Sequence, residues 1–147
     1  AAVKTSGEST HFAACDAAQL IAEVVADAQI APPIVLELKL APLPQVWWDG
    51  EQMKIVLRNL LVNAREAMPN GGVLQVHAHS DETHVSLIVR DEGVGLAPEF
   101  IKHRLFRPNQ TTKTKGLGLG LYQSREIVRA HRGEILVESA LGKGTKF

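Results

Sequence analysis

The segment from Asp49 to Met68 does most to limit how this chain can fold. Asp49 and Gln52 have the spacing of a capping box, and Pro69-Asn70-Gly71-Gly72 breaks whatever lies before it. Between those marks the pattern predicts one long helix with three faces. At about 100° per residue, Met53, Leu57, Leu60, Ala64 and Met68 fall together as a core face, and Lys54, Arg58 and Arg65 as a solvent face. Asn59, Asn63 and Glu66 belong to neither. They make a polar stripe, flanked by Val56 and Ala67 on one side and by Ile55 and Val62 on the other. An unpaired buried polar group costs about 1–3 kcal/mol, so this stripe needs partners. Nearby backbone or water would serve. So would a ligand or a hydrated metal, because an amide oxygen is a suitable hard donor for Mg²⁺.

The neighbouring segments supply layers for such a helix to pack on. Asp16 and Gln19 form another capping box, followed at helical intervals by Leu20, Val24 and Ala28, with Ala31-Pro32-Pro33 as the stop. Ile34–Leu40 alternates around Glu37 and Lys39 as a half-buried strand should. Pro42 and Pro44 mark a loop. After the central helix, Leu74, Val76 and Ala78 define one strand and Val85, Leu87 and Val89 a second, with Asp81-Glu82-Thr83 as the hairpin between them. Residues 91–118 have little periodicity apart from a short helix after Pro98. A last helix is expected from Gly118 to His131 with Gly133 as its stop, then a strand over Glu134–Ser139 and another beginning at Gly144–Phe147, which is expected to be truncated.

With 147 residues and 45% apolar content, one packed domain is expected. Residues 1–15 read as a lead-in from an upstream region, and 16–147 as the domain. Sixteen basic residues balance sixteen acidic ones, which removes any general pull toward nucleic acid or anionic lipid. No apolar run approaches the roughly 18 residues of a membrane span, so no membrane contact is expected. Cys15 stands alone, which excludes an internal disulfide and fits a reducing, cytoplasmic compartment for this domain, with a membrane anchor elsewhere in the full-length protein left open.

Two further motifs bear on chemistry. Asp91-Glu92-Gly93-Val94-Gly95 follows an apolar strand. Its glycines let backbone pass close to a flat ligand, and its carboxylate can accept from an exocyclic amine; the same residues also make ordinary turns. Gly116-Leu117-Gly118-Leu119-Gly120-Leu121 opens the last helix, with Lys113 and Lys115 just upstream. Free amides at a helix N-terminus favour anions. Neither a Walker P-loop nor a dinucleotide fingerprint is present, since Leu121 stands where the latter needs its third glycine.

In their order, these motifs resemble the catalytic, ATP-binding domain of bacterial sensor histidine kinases, in the superfamily shared with gyrase, the MutL repair protein and a heat-shock chaperone. The similarity runs from about Asp16 to Phe147. Asn59-Leu60-Leu61-Val62-Asn63-Ala64 resembles the N box, Asp91 to Gly95 the first glycine box, Leu105-Phe106-Arg107-Pro108 the F box, and Gly116 to Leu121 the second glycine box. Asn109 stands where a second F-box aromatic is usual, and Glu66 where some members carry a basic residue. More loosely, Pro98-Glu99-Phe100-Ile101 with Arg104 to Pro108 is similar to kinases linked to exopolysaccharide and exosortase systems.

The resemblance implies an α/β sandwich, a mixed and mostly antiparallel sheet with about three helices on one face and an ATP lid over residues 97–115. It implies ATP and Mg²⁺ as ligands, with Asn63 on the metal and Asn59 at the phosphate end. Asp91, with Gly93 and Gly95, would take adenine; Lys113 and the glycine run from Gly116 through Leu117, Gly118, Leu119 and Gly120 to Leu121 would hold phosphate. It implies γ-phosphoryl transfer to a histidine on a separate dimerisation domain of the same kinase, and a response regulator downstream. No histidine here precedes an acidic residue as the family acceptor does, so the domain is expected to lack its own acceptor; the resemblance also implies that the isolated domain is monomeric. Two alternatives stand beside this reading: a nucleotide-sensing module without transfer, and an ATPase of the gyrase and MutL type. Outside the motifs, His77 and His79 share a strand face with Gln75 and read as solvated surface. At least one of Trp47 and Trp48 is expected in the core, and Cys15 has no neighbour to activate it.

Overall fold

Both acidic caps close the helices they precede. Asp16 Oδ1 accepts from the Gln19 amide at 3.1 Å, and Asp49 Oδ1 from the Gln52 amide at 3.2 Å. The computed structural model describes residues 11–93, 118–140 and 144–147. Along these, β1 (Ala13–Asp16) leads into α1 (Ala17–Asp27), β2 (Ile34–Leu40), β3 (Gln45–Trp48) and the central helix α2 (Gly50–Ala67). The hairpin β4 (Gly72–Ser80) and β5 (Val85–Asp91) follows, then α3 (Gly118–Ala130), β6 (Glu138–Ala140) and β7 (Gly144–Lys146).

The main sheet has the order β2-β4-β5-β7-β6. Only β2 and β4 run parallel, in the register Ile34↔Gly72 to Leu40↔Ala78; the other pairs are antiparallel. This is the expected mixed, mostly antiparallel sheet, covered on one face by the three helices found among the described residues. Alternation decides which side is covered. Leu74, Val76, Ala78 and Val89 are buried among Leu20, Ile21 and Val24 of α1, Leu57, Leu60, Leu61 and Ala64 of α2, and Leu121 and Ile127 of α3. Met68 closes the same core, and Met53 packs on its edge. On the opposite face Glu37 Oε1 accepts from Gln75 Nε2 and meets His77 Nε2, each at 3.0 Å. The His77 hydrogen bond, helped by the Lys39 charge, holds the Glu37 carboxyl below the usual carboxylate range. His79 beside them is exposed, so the histidine pair sits on the solvated face as expected.

The hairpin at Asp81 is as read. Asp81 Oδ1 accepts from the Thr83 and His84 amides, each at 2.8 Å, and these bonds lower its carboxyl pKa. At the end of α2, Gly71 turns the chain at φ 92°. A side chain there would also run into the Pro33 carbonyl, 2.6 Å from the position of a Cβ.

Four expectations change. Residues 13–16, read as part of an unpatterned lead-in, form β1, which pairs antiparallel with β3 in a separate two-stranded ribbon. Pairing across 29 to 35 residues is not a local signal, so neither short strand announces itself. Trp47 is 69% exposed on this ribbon and Trp48 is half-buried, so neither tryptophan joins the core. Helix α1 ends at Asp27 with Gln29 left-handed (φ 52°), before the prolines are reached. The left-handed residue after α3 is Arg132 (φ 63°), one before Gly133, and regular pairing resumes only at Glu138. The short helix expected after Pro98 lies outside the described residues.

Candidate nucleotide site

The polar stripe of α2 is where distant segments meet. Asn59 sits mid-helix, and its Nδ2 donates to the Gly120 carbonyl at 3.1 Å and to Ser124 Oγ at 3.2 Å, both on α3. Ser124 is fully buried. Gly120 and Ser124 are four residues apart and therefore share a helix face. The first turn of α3 is thus tied side-on to the stripe. One turn further along α2, Asn63 is buried at 7% exposure, next to the buried core residue Ala64.

At the C-terminal end of α2 the strand β5 delivers Asp91, which is only 4% exposed. Its Oδ1 accepts from the Gly93 amide at 2.8 Å. Gly93 lies against the last residue of α2: a Cβ at this position would be 2.7 Å from the Ala67 carbonyl carbon and would overlap the carbonyl oxygen. Glu92 braces the turn from the other side, its Oε1 accepting from the Val73 amide at 2.9 Å while its own amide points at Met68 Sδ, 3.4 Å away. A buried carboxylate is therefore held at a fixed place between β5 and α2 by backbone that only glycine permits.

The far end of the α2–α3 seam is fixed by His131. Its Nε2 lies 3.0 Å from the Asp49 amide and its Nδ1 2.8 Å from the Ile127 carbonyl. An amide can only donate and a carbonyl only accept, so this geometry requires the neutral ring with its proton on Nδ1. Phe12 meets the same ring edge-on at 4.8 Å, and the His11 amide donates to Asp49 Oδ2 at 2.8 Å.

Of the residues singled out in the sequence, the structure brings Asn59 together with Gly120 and the first turn of α3, which contains Gly118, Leu119 and the buried Leu121. It sets Asp91 and Gly93 against the C-terminal end of the same helix α2. Gly95, Lys113, Gly116 and Leu117 lie outside the described residues, as do the F box and the expected lid. Sequence reasoning missed Ser124, Glu92 and His131. Ser124 carried a signal, being one helical turn beyond Gly120; the partners of Glu92 and His131 are too distant in sequence for any pattern to show.

Residues 48–147 match the family of histidine kinase-, DNA gyrase B- and HSP90-like ATPases, and the chain belongs to it. Within that family its similarity is to histidine kinases. Sporulation kinase E of Bacillus subtilis is 44% identical over 106 residues, covering 71% of this chain and 14% of that protein. Sensor histidine kinase ZraS of Escherichia coli O157:H7 is 39% identical over 105 residues, covering 71% of this chain and 23% of that protein. The chain thus spans less than a quarter of either kinase. The nucleotide-free catalytic domain of histidine kinase ThkA superposes with a TM-score of 0.76 at 27% identity, covering 93% of this chain and 92% of that one. Full-length ShkA in complex with AMPPNP superposes with a TM-score of 0.78 at 25% identity, covering 96% of this chain and 31% of that one. The chain is a histidine kinase-type ATP-binding domain. Among the described residues no helix is long and apolar enough to cross a membrane.

Proposed function

We propose that this domain binds ATP with Mg²⁺ between α2, the Asp91–Gly93 turn and the start of α3, and passes the γ-phosphoryl group to a histidine on a separate dimerisation region of the same kinase. The observation that carries this is the tie from Asn59 to Gly120, because it joins the asparagine stripe to the glycine-opened helix. Asp91, an acceptor at the end of β5, suits the amino group of adenine. Asn63 is a hard oxygen donor suited to Mg²⁺, which when bound neutralises phosphate charge. On the order of the family's motifs we also assign phosphate binding to Lys113 and the run from Gly116 to Leu121, and adenine binding to Gly95. During transfer the bond from the γ-phosphorus to the β,γ-bridging oxygen breaks as a phosphorus–nitrogen bond to the imidazole forms. The protein's share of that work is positioning and charge neutralisation. We place the reaction in the cytoplasm, with a response regulator as the next acceptor.

Hydrolysis is the weaker alternative. The gyrase and chaperone relatives carry a glutamate four residues before the metal-binding asparagine, where this chain has Asn59, and an amide cannot take a proton from water. Calorimetry tests the binding step. Asp91→Asn should lower ATP affinity about ten- to a hundredfold, the range of a lost charge-assisted hydrogen bond, and Asn63→Ala should weaken Mg²⁺-dependent binding more than metal-free binding. Equal affinity of the native domain for ATP and GTP would remove the adenine assignment. For the transfer step, the domain tethered to its own dimerisation region should label one histidine with an acid-labile, base-stable phosphate. Fast hydrolysis by the free domain would favour the ATPase; tight binding without transfer would favour a nucleotide sensor.

A further inference from the structure

Asn59 has a side-chain amide with two N–H donors and one acceptor oxygen. Its Nδ2 lies within hydrogen-bond distance of two acceptors on α3, the Gly120 carbonyl at 3.1 Å and Ser124 Oγ at 3.2 Å. The Gly120 carbonyl can only accept, so it fixes which end of the amide faces α3. Oδ1 is then what Asn59 has left to offer. A phosphate oxygen is itself an acceptor and cannot bond to Oδ1, whereas a metal-bound water or an ammonium group can donate to it. The orientation of one amide therefore decides whether Asn59 meets the phosphates directly or through a cation.

We propose that Ser124, a residue outside all of the recognised boxes, is a positioning residue for this site: with the Gly120 carbonyl it locks the Asn59 amide so that only its oxygen faces the phosphate end. Ser124 is fully buried. Its hydroxyl gives Asn59 Nδ2 a second acceptor beside the Gly120 carbonyl. Without the hydroxyl the amide keeps a single anchor and can turn about it. The proposal rests on the ATP reading above for its consequence, but not for its geometry.

The test uses Ser124→Ala in the whole domain. Alanine suits a helix interior and removes only the hydroxyl. In the domain without nucleotide, the two side-chain amide protons of Asn59 should give resolved, exchange-protected NMR signals, and Ser124→Ala should release one of them. In titrations, Ser124→Ala should lower ATP affinity about three- to tenfold with Mg²⁺ present, the size of one hydrogen bond, and have a smaller effect in EDTA. In an Asn59→Ala background the same change should cost nothing further. Unchanged Asn59 signals in Ser124→Ala would overturn the contact. An equal loss with and without Mg²⁺, or a loss that persists in the Asn59→Ala background, would reduce Ser124 to packing. Failure of the native domain to bind ATP would sink the function above, and with it the consequence drawn for Ser124, while the NMR result would still decide the contact.

Discussion

Two glycines touch α2 from opposite ends of its polar stripe, and they are glycine for different reasons. At Gly93 a Cβ would collide with the backbone of Ala67, so the fold itself excludes every other residue. At Gly120 a Cβ would sit 3.4–3.6 Å from the Asn59 amide, which is ordinary contact. Glycine within a helix is about 1 kcal/mol less favourable than alanine, so Gly120 costs stability that the described packing does not require. Residues the fold needs and residues the site needs are separable here by what a single methyl group would meet.

The sharpest way to break that contrast is Gly93→Ala. Relieving the overlap requires moving the Asp91 turn off α2, and the domain should lose about 2–4 kcal/mol in chemical denaturation, toward the upper range for overpacking. Nucleotide binding should fall with it. Next in size is His131→Ala, which strips the Asp49 amide of its acceptor and Phe12 of its ring neighbour at the end of the seam away from Gly120. A loss of about 1–3 kcal/mol is expected, with ATP affinity in the remaining folded protein close to native. A large affinity loss would show that the two ends of the seam are coupled.

Gly120→Ala should do the reverse, raising stability by up to about 1 kcal/mol while weakening ATP, because the methyl group would lie over Asn59 at the phosphate end. Unchanged affinity would return Gly120 to the fold. The smallest effect belongs to the open face of the sheet. The Glu37 carboxyl is held below its usual value of 4.5, first by the His77 hydrogen bond. Its contribution is present above that value and is lost as pH falls through the lowered one. Native protein and Glu37→Gln should therefore differ slightly in stability near neutrality and converge in acid. ATP affinity should not follow, since Glu37 lies on the face away from the helices.

Local chemistry explains what was readable in advance. Both caps, the strand Ile34–Leu40, the three faces of α2 and the Asp81 hairpin depend on residues a few positions apart, so periodicity and turn chemistry sufficed. The ribbon of β1 and β3 was not readable, because four-residue strands gain their pairing only from a partner far along the chain. The tryptophans misled for a related reason: size suggested the core, but the ribbon turns Trp47 outward.

The candidate site divides along the same line. The sequence by itself determined that α2 carries a polar stripe and that glycine-rich segments follow a strand and open a helix, because helical and strand repeats are local geometry. It could not determine that Asn59 binds α3 through Gly120 and Ser124, that Gly93 is pressed against Ala67, or that His131 closes the seam at Asp49. Those contacts join residues separated by 26 to 82 positions and exist only once the helices have packed on the sheet. Hydrogen-bond orientation and van der Waals overlap act over a few ångströms, and only the tertiary structure decides which distant atoms come within that range.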